Sequence, residues 1–368
     1  MEPGKRRVNL GRTSEDRPRA ITAYDVADLA GVSQSAVSRS FTPGASVSAL
    51  TRAKVMEAAT QLNYRPNLIA RSLMTKRSNL VGVIVPPLEN QFYPALLEAL
   101  SASFNQHGLK ILLFTSRRGM SVEPILEDVL SARVDALVMV AASVTSRFTD
   151  ECQKIGIPIV LLNRKTDNKL VSSVTGANRA GARLIADFLM AGEHDRFAYM
   201  AGVGESSTNR DREEAFCGRL QSQDRALSYR VSGDYSTEGA ARAARELFGK
   251  KSPPDAIFCA NDHMALVTIS VARAEFGIDV GKDVSIVGFD DSDLSGWPIF
   301  GLTTYAQPIE QMVDRVTQII RNQLDRESEP VTEVEVDGDL VVRTSARVPQ
   351  FGVHGTLGRL VWTSPTIG

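Results

Sequence analysis

Short, uninterrupted apolar segments recur through most of this chain, and each is followed by a longer segment with helical spacing. LVGVIV from Leu80, KILLF from Lys110, ALVMV from Ala136 and PIVLL from Pro158 form a first series. After Asn178 the pattern restarts with FAYM from Phe197, a strand ending near Val231, AIFC from Ala256 and VSIVGF from Val284. Helical patterns such as YPALLEALSASFNQHG and NRAGARLIADFLMAG lie between them. A strand that is apolar on both faces has to be covered on both, the condition of a parallel sheet flanked by helices. Two series predict two α/β lobes. The 368 residues, 43% of them apolar, suffice for two or three cores of ordinary size.

A different pattern precedes the lobes. Residues 21–40 read ITAYDVADLAGVSQSAVSRS. Thr22 followed by Asp25 makes a capping-box-like start. Tyr24, Val26, Ala27, Leu29 and Ala30 then give one apolar face. Gly31 suits the left-handed end of a helix, and Ser33 can cap a second helix whose inner face is Ala36, Val37 and Phe41. Helix, glycine turn, helix is a DNA-binding pattern as well as an ordinary packing unit. The second helix presents Gln34, Ser35, Ser38 and Arg39 outward. Short polar side chains let its N-terminal end enter a major groove, where Gln and Ser meet base edges and Arg a guanine or a phosphate. Charge agrees: residues 1–79 carry 13 Lys and Arg against 6 Asp and Glu, a net of +7, and the remainder carries 29 against 37, a net of −8. A basic head on an acidic body predicts that only the head meets a polyanion.

The next residues carry a resemblance. A third helix starts at Ser48 in VSALTRAKVMEAATQLNY, followed by RPNLIARSLMTKRSN. YDVADLAGVSQSAVSR, the VS-x-x-TR-x-KV pattern at Val47 to Val55, LNYRPN at Leu62 to Asn67 and ARSL at Ala70 to Leu73 resemble the LacI/GalR family of bacterial transcription regulators, and the likeness continues to Pro349. Two departures are Ala36, where the family often has Thr, and Phe41-Thr42, where it often has Leu-Asn. The resemblance implies an α/β chain with an N-terminal helix-turn-helix domain and a two-lobed, periplasmic-binding-protein-like effector domain. The expected organisation is a disordered basic arm over 1–20, a DNA-binding domain over 21–66 and a hinge helix over 67–78. The effector and dimerisation domain covers 79–349, with lobe 1 at 79–177 and 307–335 and lobe 2 at 178–306 and 336–349. A separate tail covers 350–368. Crossings between lobes are expected near Ala177, Gln307 and Val336.

The resemblance also assigns residues. Thr22, Tyr24, Ser33, Gln34, Ser35, Ser38 and Arg39 form the DNA-facing set, with Arg52, Lys54 and the arm on phosphates. Asn67, Ala70 and Leu73 belong to the hinge, Leu73 as a minor-groove wedge and Ala70 as a close approach at a two-fold axis. In open α/β sheets ligands bind outside the carboxyl ends of strands, so residues that follow strands are the ones to read for an effector. Phe92, Tyr93, Asn163, Arg210, Tyr235, Asn261 and Asp290 follow strands and fall on effector positions of the family. Aromatic faces, a guanidinium, amides and a carboxylate suit a polyol. Where many members read Asp-Asn this chain reads Ala177-Asn178, so a carboxylate that meets sugar hydroxyls is missing. Read alone, Asn261 and Asp290 are also candidate helix caps, and Arg210 a surface partner of Glu205 or Glu213.

Other classes fit poorly. There is no G-x-S-x-G, P-loop or G-x-G-x-x-G, and no His-Cys cluster, so neither an enzyme nor a metal or cofactor is expected. Cys152, Cys217 and Cys259 fit no C-x-x-C spacing and read as structural thiols in a reducing compartment. The arm lacks the apolar core of a secretory signal, and no run approaches the roughly 20 apolar residues of a membrane span. The reading is a cytoplasmic homodimeric regulator, associated with the nucleoid when bound to double-stranded operator DNA. Its operator affinity answers to a sugar, sugar acid or nucleoside-like effector. The alternative is a solute-binding protein of the periplasmic sugar-binding type.

Overall fold

The computed structural model describes residues 21–42, 44–65, 77–116, 123–141, 145–168, 170–325, 330–356 and 358–364. The arm, and Asn67, Ala70 and Leu73 of the expected hinge, lie outside them. The chain divides into two compact units, a head up to Ser78 and a core from Asn79.

The head is three helices: α1 (Ala23–Ala30), α2 (Gln34–Ser40) and α3 (Ala49–Gln61). Thr22 starts α1, its N–H and its hydroxyl both donating to the Asp25 carboxylate. Gly31 ends α1 at φ 64°, where its backbone N–H returns to α1 carbonyls and the chain turns sharply. Ser33 and Ser48 cap α2 and α3, accepting from the N–H of Ala36 and Thr51. Val26, Ala27, Val37, Val55, Ala58 and Ala59 meet in one small core. Tyr24 and Leu29, expected on the inner face of α1, are instead 63% and 50% exposed. Three short helices leave room inside for only one stripe per helix, and that of α1 is Val26, Ala27 and Ala30.

The core holds two sheets. The first has the order β11-β5-β4-β3-β1-β2 and is parallel throughout, from β1 (Leu80–Val85), β2 (Lys110–Thr115), β3 (Ala136–Val140), β4 (Ile159–Leu162), β5 (Ser172–Gly176) and β11 (Glu333–Val336). It is flanked by α4 (Phe92–Gln106), α5 (Glu123–Ala132), α6 (Ser146–Lys154) and α11 (Ile309–Leu324). The second has the order β13-β14-β12-β10-β9-β8-β6-β7. Its parallel part is β6 (Phe197–Ala201), β7 (Leu227–Ser232), β8 (Ala256–Cys259), β9 (Ser285–Asp290) and β10 (Thr303–Ala306). It is covered by α7 (Asn178–Ala191), α8 (Ser207–Gln221), α9 (Thr237–Phe248) and α10 (Asp262–Phe276).

The chain passes from one sheet to the other after Gly176, after Ala306 and after Val336. The segment expected as a separate tail is part of the second sheet. β13 (Val353–Thr356) and β14 (Arg359–Trp362) form a hairpin that pairs antiparallel with β12 (Asp339–Val342). Trp362 anchors it, 1% exposed, edge-on to Phe188 at 5.6 Å and donating to the Phe351 carbonyl. No helix among the described residues is long and apolar enough to cross a membrane.

Candidate functional site

On the head, the outward face of α2 is polar and free of core packing. Gln34, Ser35 and Arg39 are exposed, as is Ser33 beside the helix start, and Ser38 is half-buried. Ser33 and Ser35 share a hydrogen bond of 2.9 Å, which leaves the Gln34 amide and the Arg39 guanidinium to outside partners. Arg52 does not join this face. Its Nη1 donates to the Ser40 carbonyl at 2.6 Å and its Nη2 to that of Ala45, so this guanidinium ties α3 to the end of α2. Lys54 is exposed.

In the core, strand ends of both sheets carry polar side chains that share one electrostatic neighbourhood. Tyr93, in the first turn of α4, feels Asp290, Arg164, Tyr235 and Arg212. Asp290 ends β9 with φ 137° and is 4% exposed. Burial raises its carboxyl to about 7, Arg212 opposes this, and Asp262 adds to it. Its Oδ1 accepts from Gln307 Nε2 at 2.7 Å, on the second crossing between sheets. Asp290 therefore caps no helix. Burial likewise drives the Tyr93 phenol well above its usual range, Asp290 adding to it.

The guanidinium beside Asp290 belongs to Arg212, not to Arg210. Arg210 is exposed on the first turn of α8 and donates to the Glu205 carbonyl at 3.3 Å. Arg212 is 2% exposed. Its Nε donates to Asn178 Oδ1 at 2.8 Å, its Nη1 to the Ala260 carbonyl, and its plane stacks 3.6 Å from the centroid of Phe289. Its Nη2 has no hydrogen-bond partner and lies 3.9 Å from Asp290. Asn178 is the residue that aims it, held in turn by donating to the Gly176 carbonyl.

Two other expected ligand residues serve the fold. Phe92 is 1% exposed within the core of the first lobe, edge-on to Tyr93 at 5.7 Å. Asn261 caps α10, its oxygen accepting from the N–H of Met264 at 3.1 Å. Next to it, Asp262 is buried and accepts from the N–H of Ser292 and the hydroxyls of Ser295 and Thr304, pinning the loop after Asp290 to β10.

Tyr235 sits at φ 54° after β7, against the second lobe's core, with a buried hydroxyl that has no partner. Its ring covers Gly202 so closely that a Cβ there would stand 2.0 Å from Cζ. Asn163, after β4, is buried at φ 58° with an unpartnered oxygen. Backbones held at positive φ by residues other than glycine cost on the order of 1–3 kcal/mol and persist where a site needs them. Arg164, absent from the expected set, follows directly. One Nη donates to the Ala141 carbonyl and its buried Nε is unpartnered. Arg164 feels Tyr235, Tyr93, Arg210 and Arg212, and burial lowers its pKa.

Buried, unpartnered polar atoms on Asn163, Arg164, Arg212 and Tyr235 thus stand at strand ends of both sheets. Asp290 also lines a cavity of about 550 Å³, together with Asp293, Gln307, Glu310, Asp337 of the third crossing and Arg359 of the added hairpin. Among the described residues no group of three His, Cys, Asp or Glu could hold a metal ion.

Comparison with known proteins agrees on both units. Residues 22–67 match the family of bacterial regulatory proteins described as the lacI family, and residues 186–346 match the periplasmic binding protein-like domain. The transcriptional regulator GalS of Salmonella typhimurium is 32% identical over 302 residues, covering 81% of this chain and 88% of its own length. The lac repressor dimer bound to operator and an anti-inducer superposes with TM-score 0.80 at 26% identity, over 90% of this chain and all of that one. The regulator CelR in complex with cellobiose superposes with TM-score 0.68 at 26% identity, over 90% of this chain and all of that one.

Proposed function

The chain belongs to the LacI family of bacterial regulatory proteins, and on that premise we propose a homodimeric repressor whose hold on its operator is set by a small polyol bound between the lobes of the core. The family accounts for DNA binding and for the absence of enzyme motifs. The finer reading rests on one observation: Asn163, Arg164, Arg212 and Tyr235 carry buried polar atoms without partners near strand ends of both sheets, where an open α/β fold binds ligands. Leaving a buried donor or acceptor unpaired costs about 1–3 kcal/mol, so a ligand that satisfies several gains that much for each.

Asp290 and the Gln307 amide offer partners for a hydroxyl pair, Arg212 a donor, and Tyr235 a ring face. A ligand bridging both lobes binds one lobe angle better than another, and only that difference shifts the equilibrium. A coupling of about 1–3 kcal/mol changes operator affinity about 5–150-fold, and by reciprocity operator changes effector affinity equally. Similarity to a lac repressor dimer on operator and to a cellobiose-bound regulator supports dimer, operator and sugar-like ligand alike.

The test begins with duplexes that the protein selects from a random library. Selected sites should be pseudo-palindromic, with half-sites about one helical turn apart or a multiple of it. Gln34→Ala combined with Ser35→Ala should flatten the preference for that site over scrambled duplex while keeping salt-sensitive non-specific binding. Full discrimination by the double variant would remove α2 from the base-reading role.

A further inference from the structure

We infer that the ligand of the interlobe cleft is an anionic polyol, a sugar acid whose carboxylate lies between the guanidiniums of Arg164 and Arg212. This rests on reading the cleft as the effector site and adds the charge of its occupant.

Three guanidiniums share the neighbourhood, those of Arg164, Arg210 and Arg212. Arg164 is half-buried, the charges that act on it most are those of Tyr235, Tyr93, Arg210 and Arg212, and it forms no ion pair among the described residues. A buried cation without a counter-ion is unfavourable, and folded chains seldom keep one that nothing neutralises. Several carboxylates on the surrounding elements are engaged elsewhere. Asp211 pairs with Arg179, Glu213 with Arg230 and Asp291 with Arg343. Asp262 is enclosed by serine and threonine donors. Asp290 is in contact with the Gln307 amide, and Asp293, Glu310 and Asp337 line the cavity beside it without forming an ion pair with Arg164 or Arg212. The first lobe adds none where Ala177 stands, buried and apolar, at the first crossing.

The donors that remain also limit the anion's shape. Arg212 has given Nε and Nη1 to Asn178 and Ala260, and Arg164 has given one Nη to Ala141. Arg164 Nε, Arg212 Nη2 and the Tyr235 hydroxyl are unpartnered. These unpartnered donors can serve the two oxygens of one carboxylate. A phosphate ester carries nearly twice the charge, whereas one carboxylate balances the single guanidinium, Arg164, that has no carboxylate beside it. Asp290, across from Arg212, is left for the hydroxyls.

The experiment titrates the full chain by calorimetry with D-galacturonate, D-glucuronate and D-gluconate, beside D-galactose, D-glucose and D-glucose 6-phosphate. It then repeats each ligand on the protein bound to its selected operator. At least one acid should bind about tenfold or more tighter than its neutral parent, because a site built around a ligand group rejects the analogue that lacks it. Arg164→Gln should cut that preference to below about threefold, whereas Arg164→Lys should retain it. Both variants keep Arg212 and its structural contacts. A neutral sugar that binds as tightly as its acid, the 6-phosphate binding more tightly than every acid, an acid preference untouched by Arg164→Gln, or no binding by any of the three acids overturns the inference. A neutral sugar that binds and shifts operator affinity would do so while leaving the regulatory reading standing. An acid that binds by way of Arg164 without altering operator affinity would leave the charge inference standing and remove the regulatory one.

Discussion

Exchanging each of two neighbouring arginines for methionine separates a ligand-positioning group from a surface one. Arg212→Met removes a guanidinium that is 2% exposed. Asn178 Oδ1 and the Ala260 carbonyl then lose their donor in a place water does not reach, at about 1–3 kcal/mol each. The stacking on Phe289 at 3.6 Å is lost as well, although methionine refills most of the volume and keeps a contact with the ring. Asp290 limits the damage. Its carboxyl already titrates near 7, so without Arg212 it takes up a proton rather than standing as a bare charge. The net expectation is a loss of about 3 kcal/mol at neutral pH, near the lower end for one-sided removal of a buried charge partner. Arg210→Met gives up one exposed contact of 3.3 Å and should change stability by no more than about 0.5 kcal/mol. The assay is urea unfolding followed by tryptophan fluorescence. Both tryptophans, Trp297 and Trp362, lie beyond Asn79, so the signal reports the core alone. A core as stable without Arg212 as with it would refute the hydrogen-bond reasoning. So would an Arg210 variant that loses 2 kcal/mol or more.

Gly202→Ala should destabilise the core by about 1–3 kcal/mol, because a Cβ there collides with the Tyr235 ring. The cost should largely vanish in a Tyr235→Ala background, and additive losses in the double-mutant cycle would contradict the contact. His194 is 1% exposed, and burial, with Arg347 adding, lowers its pKa to about 4, so the folded state holds it neutral. The unfolded chain takes up that proton near pH 6.5; the stability this group contributes is complete above that pH and is lost as pH falls toward 4, by up to about 3 kcal/mol. Urea midpoints at pH 7, 5.5 and 4.5 should fall less steeply for His194→Gln, and parallel slopes would count against it. Arg52→Met should lower the head's stability by about 1–2 kcal/mol by freeing the Ser40 and Ala45 carbonyls, while the slope of log affinity against log salt stays put. A slope smaller by about one with stability unchanged would assign Arg52 to a phosphate instead.

The two sheets were legible because their central strands are apolar on both faces, a pattern few other structures tolerate. β5, β11 and the β13–β14 hairpin lack that signal. β5 reads SSVTG, and its Ser172 hydroxyl accepts from the N–H of Thr332 on the segment leading to β11. β11 reads EVEV and alternates exposed with half-buried positions, as an edge strand does. The hairpin of β13 and β14 hides behind three glycines, and only Trp362 hinted at burial there.

In the site, position after a strand was readable, but which neighbouring side chain turns inward was not, because that is a matter of helical phase. α8 buries Thr208, Asn209, Arg212, Ala215 and Phe216. Arg212 lies three and four residues before Ala215 and Phe216, on their stripe, whereas Arg210 is displaced from Arg212 by two residues, about 200° around the axis. The apolar pair downstream therefore marks Arg212 as the inward arginine. Arg164 escaped for a related reason. A residue two positions past four buried strand residues reads as part of a surface loop. The left-handed turn at Asn163, φ 58°, redirects the chain there, and the guanidinium is drawn back to the Ala141 carbonyl at the end of the adjacent strand. Arg212 stands within the charged run RDREE and Arg164 beside Lys165, and neither run tells which guanidinium turns inward. What distinguishes the two cations is that each spends part of its donor set on the fold and keeps the rest unpartnered, and that division exists only once both sheets are in place.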